Sequence, residues 1–226
     1  MTLSLVGFCP RTGRLGAIVS SSSPAVAARC AWARAGVGAA CTQNVTDPTL
    51  GPALLDRLAA GVAAADALAA VTATAGPHLE HRQLTVVDAA GRAAAFTGAL
   101  ALGRYGDHTA DGCAAAGNLL ADPSVPAAMV AAFAVGRDAD LGDRLLAALA
   151  AGRDAGGEEG GVHSAGMLVV DDVAWPVTDL RVDWSDGDPV AELGALWARW
   201  KPLAADYVTR ALHPDQAPSY GVPGDE

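Results

Sequence analysis

The feature that most constrains this chain is a strand that starts at its second residue. Thr2-Leu3-Ser4-Leu5-Val6-Gly7-Phe8 is a compact apolar stretch, Pro10-Arg11-Thr12-Gly13-Arg14 reads as a tight turn, and Leu15 to Ser20 runs back. Gly13 supplies the positive φ that such a turn needs, so the segment is a hairpin. A third apolar stretch, Ala35 to Thr42, is expected to close the same unit. The consequence is chemical. No leader is read before the first strand, and an initiator methionine is ordinarily removed ahead of a small residue. Thr2 would then carry a free α-amine beside its own hydroxyl, a nucleophile with a built-in base. An α-amine with a pKa of about 8 is suited to take a proton near neutral pH.

Composition narrows the function classes. With 15 basic against 25 acidic residues, the chain lacks the concentrated basic face that nucleic acid binding needs. Lys201 is its only lysine, which removes most routes to a lysine base or a Schiff base. No uninterrupted apolar run approaches the ~18 residues of a membrane span, and no signal peptide is read at the start. Cys9, Cys30, Cys41 and Cys113 lie far apart with no paired spacing, so they are expected as buried thiols in a reduced cytoplasm. A hydrophobic share of 51% lets a single domain over residues 1–212 bury a large core, followed by an irregular tail over 213–226.

After the hairpin, Ser20-Ser21-Ser22-Ser23-Pro24 reads as an ordered turn whose hydroxyls face something. Asp47-Pro48 signals a helix start, and Leu54, Leu55, Leu58, Val62, Leu68 and Val71 carry an apolar stripe through two helices broken near Gly61. Residues 82–88 and 93–98 form a second hairpin. Residues 114–119 are a short strand, and helices follow from Asp122-Pro123 and over 141–151. Ser164 to Val170 and Leu180 to Trp184 are neighbouring strands. Pro189 to Trp200 is the last helix, with 204–212 as its extension. Strand sets joined by short turns and separated by helix pairs imply an α+β fold. The expected form is a four-layer αββα sandwich of two mainly antiparallel sheets.

Six blocks of the sequence carry a family resemblance. They are Met1 to Val6, Arg34 to Gln43, His81-Arg82-Gln83-Leu84, Gly117-Asn118-Leu119-Leu120, His163-Ser164-Ala165 and Asp179 to Asp183. Together they resemble the bacterial family known as domain of unknown function 1028, across nearly the whole chain. The resemblance implies a fold similar to N-terminal-nucleophile (Ntn) hydrolases, the sandwich of proteasome β subunits. By that comparison Thr2 falls at their catalytic threonine, and Ser20 and Ser21 fall near an aspartate of theirs. Arg29 or Arg34 falls near their lysine, Asn118 near a supporting serine, and Asp154 at a second aspartate. The chain departs from them by lacking the lysine and the first aspartate, so activation of Thr2 falls mainly to its own amine.

The candidate catalytic residues are therefore Thr2, Asn118 and Asp154. Asn118 would hold an oxyanion through its amide, or serve as a turn residue. Asp154 would hydrogen-bond the Thr2 amine, or pair with Arg153. Ser20, Ser21, Arg34, Gln43, Asn44, His163 and Ser164 are candidate substrate-binding residues. Ser164 lacks the glycine two places earlier that a nucleophile elbow requires, since Val162 stands there. His78, Glu80 and His81 miss the helical zinc spacing, and there is no phosphate loop, so neither metal nor cofactor is expected. The expected function is an amidohydrolase that cleaves a small amide or imide through Thr2. The alternative is a non-catalytic small-molecule binder or oligomeric scaffold on the same fold, and a Ser164 hydrolase is a third reading. The apolar content and the late cluster Trp184, Trp197 and Trp200 lead us to expect a homodimer.

Overall fold

The computed structural model describes residues 1–222. Along the chain the elements are β1 (Thr2–Phe8), β2 (Leu15–Ser21), α1 (Ala27–Cys30), β3 (Ala31–Arg34), β4 (Gly38–Asn44), α2 (Leu50–Ala59) and α3 (Ala64–Thr72). Then come β5 (Arg82–Asp88), β6 (Ala93–Thr97), β7 (Gly106–Ala110), β8 (Cys113–Asn118), α4 (Val125–Val135) and α5 (Leu141–Asp154). The last are β9 (Ser164–Val170), β10 (Thr178–Val182), α6 (Pro189–Trp200) and α7 (Ala204–Leu212). One sheet has the order β10-β9-β2-β1-β8-β7, the other β3-β4-β5-β6. Every pairing within them is antiparallel. Among the described residues no helix is long and apolar enough to cross a membrane.

The layers follow from the alternation of side chains along each strand. Leu3 and Leu5 of β1 join Ile18, Met167, Phe133, Leu145, Leu149 and Leu193 in a core between the six-stranded sheet and α4, α5 and α6. Val6, on the opposite face, meets Ala17, Ala39, Cys41, Val87 and Ala114 between the two sheets. Most of these are small side chains, which lets the sheets stack closely. A third core joins Leu84 and Val86 to Leu54, Leu58, Leu68 and Val71 of α2 and α3. The result is four layers, αββα, with β1 central in its sheet.

Gly13 turns the first hairpin at φ +75°. Gly7 serves differently: a Cβ there would meet Phe133 Cζ at 2.5 Å, so helix α4 can press its ring against bare backbone only at glycine. We expect Gly7→Ala to destabilise the fold by about 1–3 kcal/mol through overpacking, read as a lower denaturant midpoint at unchanged slope. An unchanged midpoint would mean that the ring swings aside freely.

Two local expectations need correction. The stretch 35–42 does not close a unit with the first hairpin. Its strand is β4, which lies in the second sheet and pairs with β3 and β5. Helix α1 carries the chain from the first sheet to β3, and a turn through Gly36, at φ +66°, joins β3 to β4 within the second. The late tryptophans also divide. Trp197 is buried in the core, its Nε1 donating to Asp143 at 2.7 Å, and Trp200 donates to the Val177 carbonyl and stacks on Tyr207. Trp184 alone of the three is largely exposed. Helix 204–212 is a separate α7, and a short 3₁₀ turn spans Pro214–Gln216 in the expected tail, whose residues 223–226 lie outside the described residues.

Candidate active site

The head of β1 sits between the ends of β2 and β8, which places Thr2 opposite both Ser21 and Asn118. The threonine is only 5% exposed, so its hydroxyl is not the free strand-end group that a sequence suggests. Met1 covers it. Thr2 Oγ1 donates to the Met1 carbonyl at 2.6 Å and lies 3.3 Å from Ser21 Oγ. Ser21 Oγ donates to the same carbonyl. Two hydroxyls thus converge on one carbonyl oxygen.

Beneath them lies a buried amide network that bridges the two sheets. Gln43 Nε2 donates to Gln83 Oε1 at 3.2 Å, and Ser4 Oγ donates to Gln43 Oε1 at 2.6 Å. Asn118 Nδ2 donates to Gln83 Oε1 at 2.9 Å, while Gln83 Nε2 donates to the Gly117 carbonyl at 2.9 Å. Both Asn118 and Gln43 also reach the Thr2 carbonyl at 3.4 Å. These bonds fix the position of residue 2 from below. They also commit the Asn118 amino group, and leave its Oδ1 buried without a partner among the described residues.

The other candidates separate. Ser20 points to the helix side of its sheet, where it lines a cavity of about 230 Å³ together with Leu3, Arg153, Glu158 and Gly160. Asn44 is left-handed at φ +72° and holds two loops, donating to the His81 carbonyl and accepting from the Leu102 amide. Asp154 is exposed and pairs with Arg153 at 2.8 Å, not with Thr2. Arg34 is exposed on β3 and pairs with Asp56. His163 stacks on Trp184 and pairs its Nδ1 with the Ser185 carbonyl. Ser164 Oγ is fully buried, donates to the Ser23 carbonyl at 2.6 Å and accepts from the Val26 amide. That hydroxyl ties a loop down. Among the described residues no side-chain base hydrogen-bonds to it.

Two residues at this end are absent from the candidates read from the sequence. Gln83 is the hub of the amide network, and an alternating strand gives no sign that one of its polar residues faces inward. Glu158 is the other. It is 7% exposed, in a glycine-rich loop bridged to Leu120, and among the described residues neither carboxylate oxygen has a hydrogen-bond partner. Burial pushes its pKa up to about 8, against the pull of the chain's amino group and of the Ser22 amide. That amide approaches the carboxylate without reaching hydrogen-bond geometry. Among the described residues no group of three or more His, Cys, Asp or Glu is placed to hold a metal ion.

The sequence model of the family of unknown function DUF1028 matches residues 2–193. Among solved structures, protein SPO2555 from Silicibacter pomeroyi, described with family-model DUF1028, is 32% identical and superposes with a TM-score of 0.82. That match covers 91% of this chain and 89% of the other. Anbu (ancestral beta-subunit) from Yersinia bercovieri is 8% identical, with a TM-score of 0.41 over 98% of this chain and 100% of that one. The second likeness is too loose to argue from. No curated protein matches the sequence.

Proposed function

From the premise that this chain belongs to the DUF1028 family, we propose that it is an N-terminal-nucleophile amidohydrolase acting on a small amide or imide. The observation that carries this reading is the position of Thr2: it heads the central strand, with its hydroxyl beside Ser21 Oγ and under the Met1 carbonyl. Loss of Met1 would leave an α-amine and a hydroxyl on one residue, held from below by Asn118 and Gln43. Thr2 Oγ1 would attack the substrate carbonyl, and its proton would pass to the α-amine and on to the departing amine. Water would then release the acyl group as a carboxylic acid and restore the hydroxyl. Ser21 suits the oxyanion better than Asn118, because its hydroxyl already donates to a carbonyl there while the Asn118 amino group is taken.

The test pairs an amide and imide panel with the intact mass of the same preparation. Turnover by a protein that has lost Met1 is the expected result. An active preparation that retains Met1 sinks the Thr2 route, because a peptide-bonded nitrogen cannot act as the base. Binding of a small ligand without turnover of any amide would favour the scaffold reading instead.

Cytoplasmic residence and a homodimer belong to the same proposal. All four cysteines are free and buried, which suits a reducing compartment. The dimer draws support from exposed Val45, Leu100, Leu102 and Tyr105, on loops that Asn44 ties together. A single monomeric species in sedimentation at micromolar concentration would remove it.

A further inference from the structure

Met1 does more than cover Thr2; it shows what the space above Thr2 accepts. Its carbonyl oxygen takes hydrogen bonds from Thr2 Oγ1 and Ser21 Oγ. Its side chain packs on Gly160, one of the residues that line the cavity, so close that a Cβ there would lie 2.7 Å from Met1 Cε. Its amino group is near enough to Glu158 for the carboxylate to feel the charge, although no ion pair joins them among the described residues. Residue 1 is in effect an aminoacyl group linked to the nitrogen of Thr2. An acyl group on the nitrogen and one on the hydroxyl of the same threonine interconvert through a small ring. They therefore occupy nearly the same space.

From this superposition we infer that the site accepts aminoacyl amides with a free α-amine, the ammonium being read by Glu158, the carbonyl by Ser21 and the side chain by the cavity beside Gly160. The inference rests on the hydrolase reading and adds the substrate class to it. Glu158 supports it on geometry. The residue is more than nine-tenths buried, it lines the cavity, and both its oxygens lack partners among the described residues. A carboxyl group in that state is expensive to keep unless something binds it. The other charges around the cavity are already matched: Arg153 pairs with Asp154 and with Asp188. An incoming ammonium would find Glu158 as the uncommitted acid. The cavity, about 230 Å³, is smaller than the ~300–1,000 Å³ of sites for drug-sized ligands, which suits one amino acid side chain and not a peptide.

The bond changes are those of ordinary hydrolysis. Thr2 Oγ1 forms an ester with the aminoacyl carbon as the C–N bond breaks, and the leaving amine takes the proton that Thr2 gave up. Water then cleaves the ester to give the free amino acid.

The test uses full-length protein whose loss of Met1 has been verified by mass. L-Methioninamide, glycinamide and N-acetyl-L-methioninamide are compared by ammonia release, and binding of L-methionine and N-acetyl-L-methionine is measured by calorimetry. We expect acetylation to lower kcat/KM at least about 10-fold, as for loss of one buried charge pair. Glu158→Gln should bring the free and acetylated substrates to within about 3-fold of each other, in a variant shown by its melting profile to be folded. Gly160→Ala is the second variant. It should impair methioninamide and spare glycinamide, because the added methyl falls where the Met1 side chain lay. Equal turnover of free and acetylated amides overturns the inference while the hydrolase reading stands. Binding of methionine that acetylation and Glu158→Gln both abolish, without turnover of any amide, keeps the aminoacyl site and overturns the hydrolase reading. Neither turnover nor binding of the aminoacyl probes overturns the inference outright.

Discussion

Thr2→Ala is expected to abolish amide hydrolysis, with a loss in kcat on the order of 10³–10⁶-fold, the range seen when a covalent nucleophile is removed. Alanine is small, so Met1 should still be removed, and the variant would retain the α-amine without the hydroxyl. Only the attacking group would be missing. Thr2→Ser keeps a primary hydroxyl and should keep partial activity. Ser164→Ala should be much milder, because the Ser164 hydroxyl is spent on the Ser23 carbonyl. The cost in stability is also predictable. Thr2 is buried, and its hydroxyl bonds the Met1 carbonyl and touches Ser21, so removing it from the Met1-bearing form should cost about 1 kcal/mol. Steady-state kinetics on mass-verified protein decides the matter. Parental turnover by Thr2→Ala would place the nucleophile elsewhere.

The sequence made the frame legible where local chemistry and tertiary fold agree. The Gly13 turn, the hairpin of β5 and β6, the apolar stripe of α2 and α3, and α6 from Pro189 to Trp200 all stand in the structure. It failed where a segment's meaning depends on a distant partner. β7 is a short polar edge strand, Gly-Asp-His-Thr-Ala, that exists because β8 pairs with it. Residues 35–42 look like a continuation of the first sheet because one strand period resembles another, and only packing assigns β4 to the second sheet. The helix starts were misplaced by a turn for a visible reason. Asp47 and Asp122 bond the amides of Thr49 and Ser124, so they cap the turns that lead into α2 and α4, not the helices themselves.

At the site, the register alone brings Thr2, Ser21 and Asn118 together, and a hairpin reading supplies most of that. Asp154 drew attention because the family resemblance sets it at a second aspartate, yet the loop that follows turns back so that Glu158 is the acid buried at this end. Nothing in Gly-Gly-Glu-Glu-Gly-Gly distinguishes Glu158 from Glu159. The difference is tertiary. Glu158 is bridged to Leu120 and shut in, while Glu159 reaches solvent and pairs with Arg104.

That burial predicts a large pH effect on stability in protein that retains Met1. The carboxyl of Glu158 has an ordinary value of 4.5 and is pushed up to about 8 in the folded chain, first by burial, with the amino group and the Ser22 amide opposing. Between those values the folded protein holds a proton that the unfolded chain has released. Its stability therefore falls as pH climbs through that window, and is highest below it with respect to this group. At 1.36 kcal/mol per pH unit the limit is roughly 4–5 kcal/mol, and relaxation of the loop would reduce it to about 2–3 kcal/mol. Glu158→Gln has no proton to lose. The variant should match its parent near pH 5 and exceed it near pH 9 by about 5–10 °C in melting temperature, given the usual slope for a chain of this size. The groups that face Glu158 do not mimic this signal. Arg153 and Asp188 across the cavity are paired with each other, and they and the Met1 amine are the same in parent and variant, so what they contribute cancels from the comparison. Parallel melting profiles for parent and variant across pH 5–9 would mean that the carboxylate is solvated and ionised in the folded protein. The unpartnered acid on which the aminoacyl site depends would then not exist.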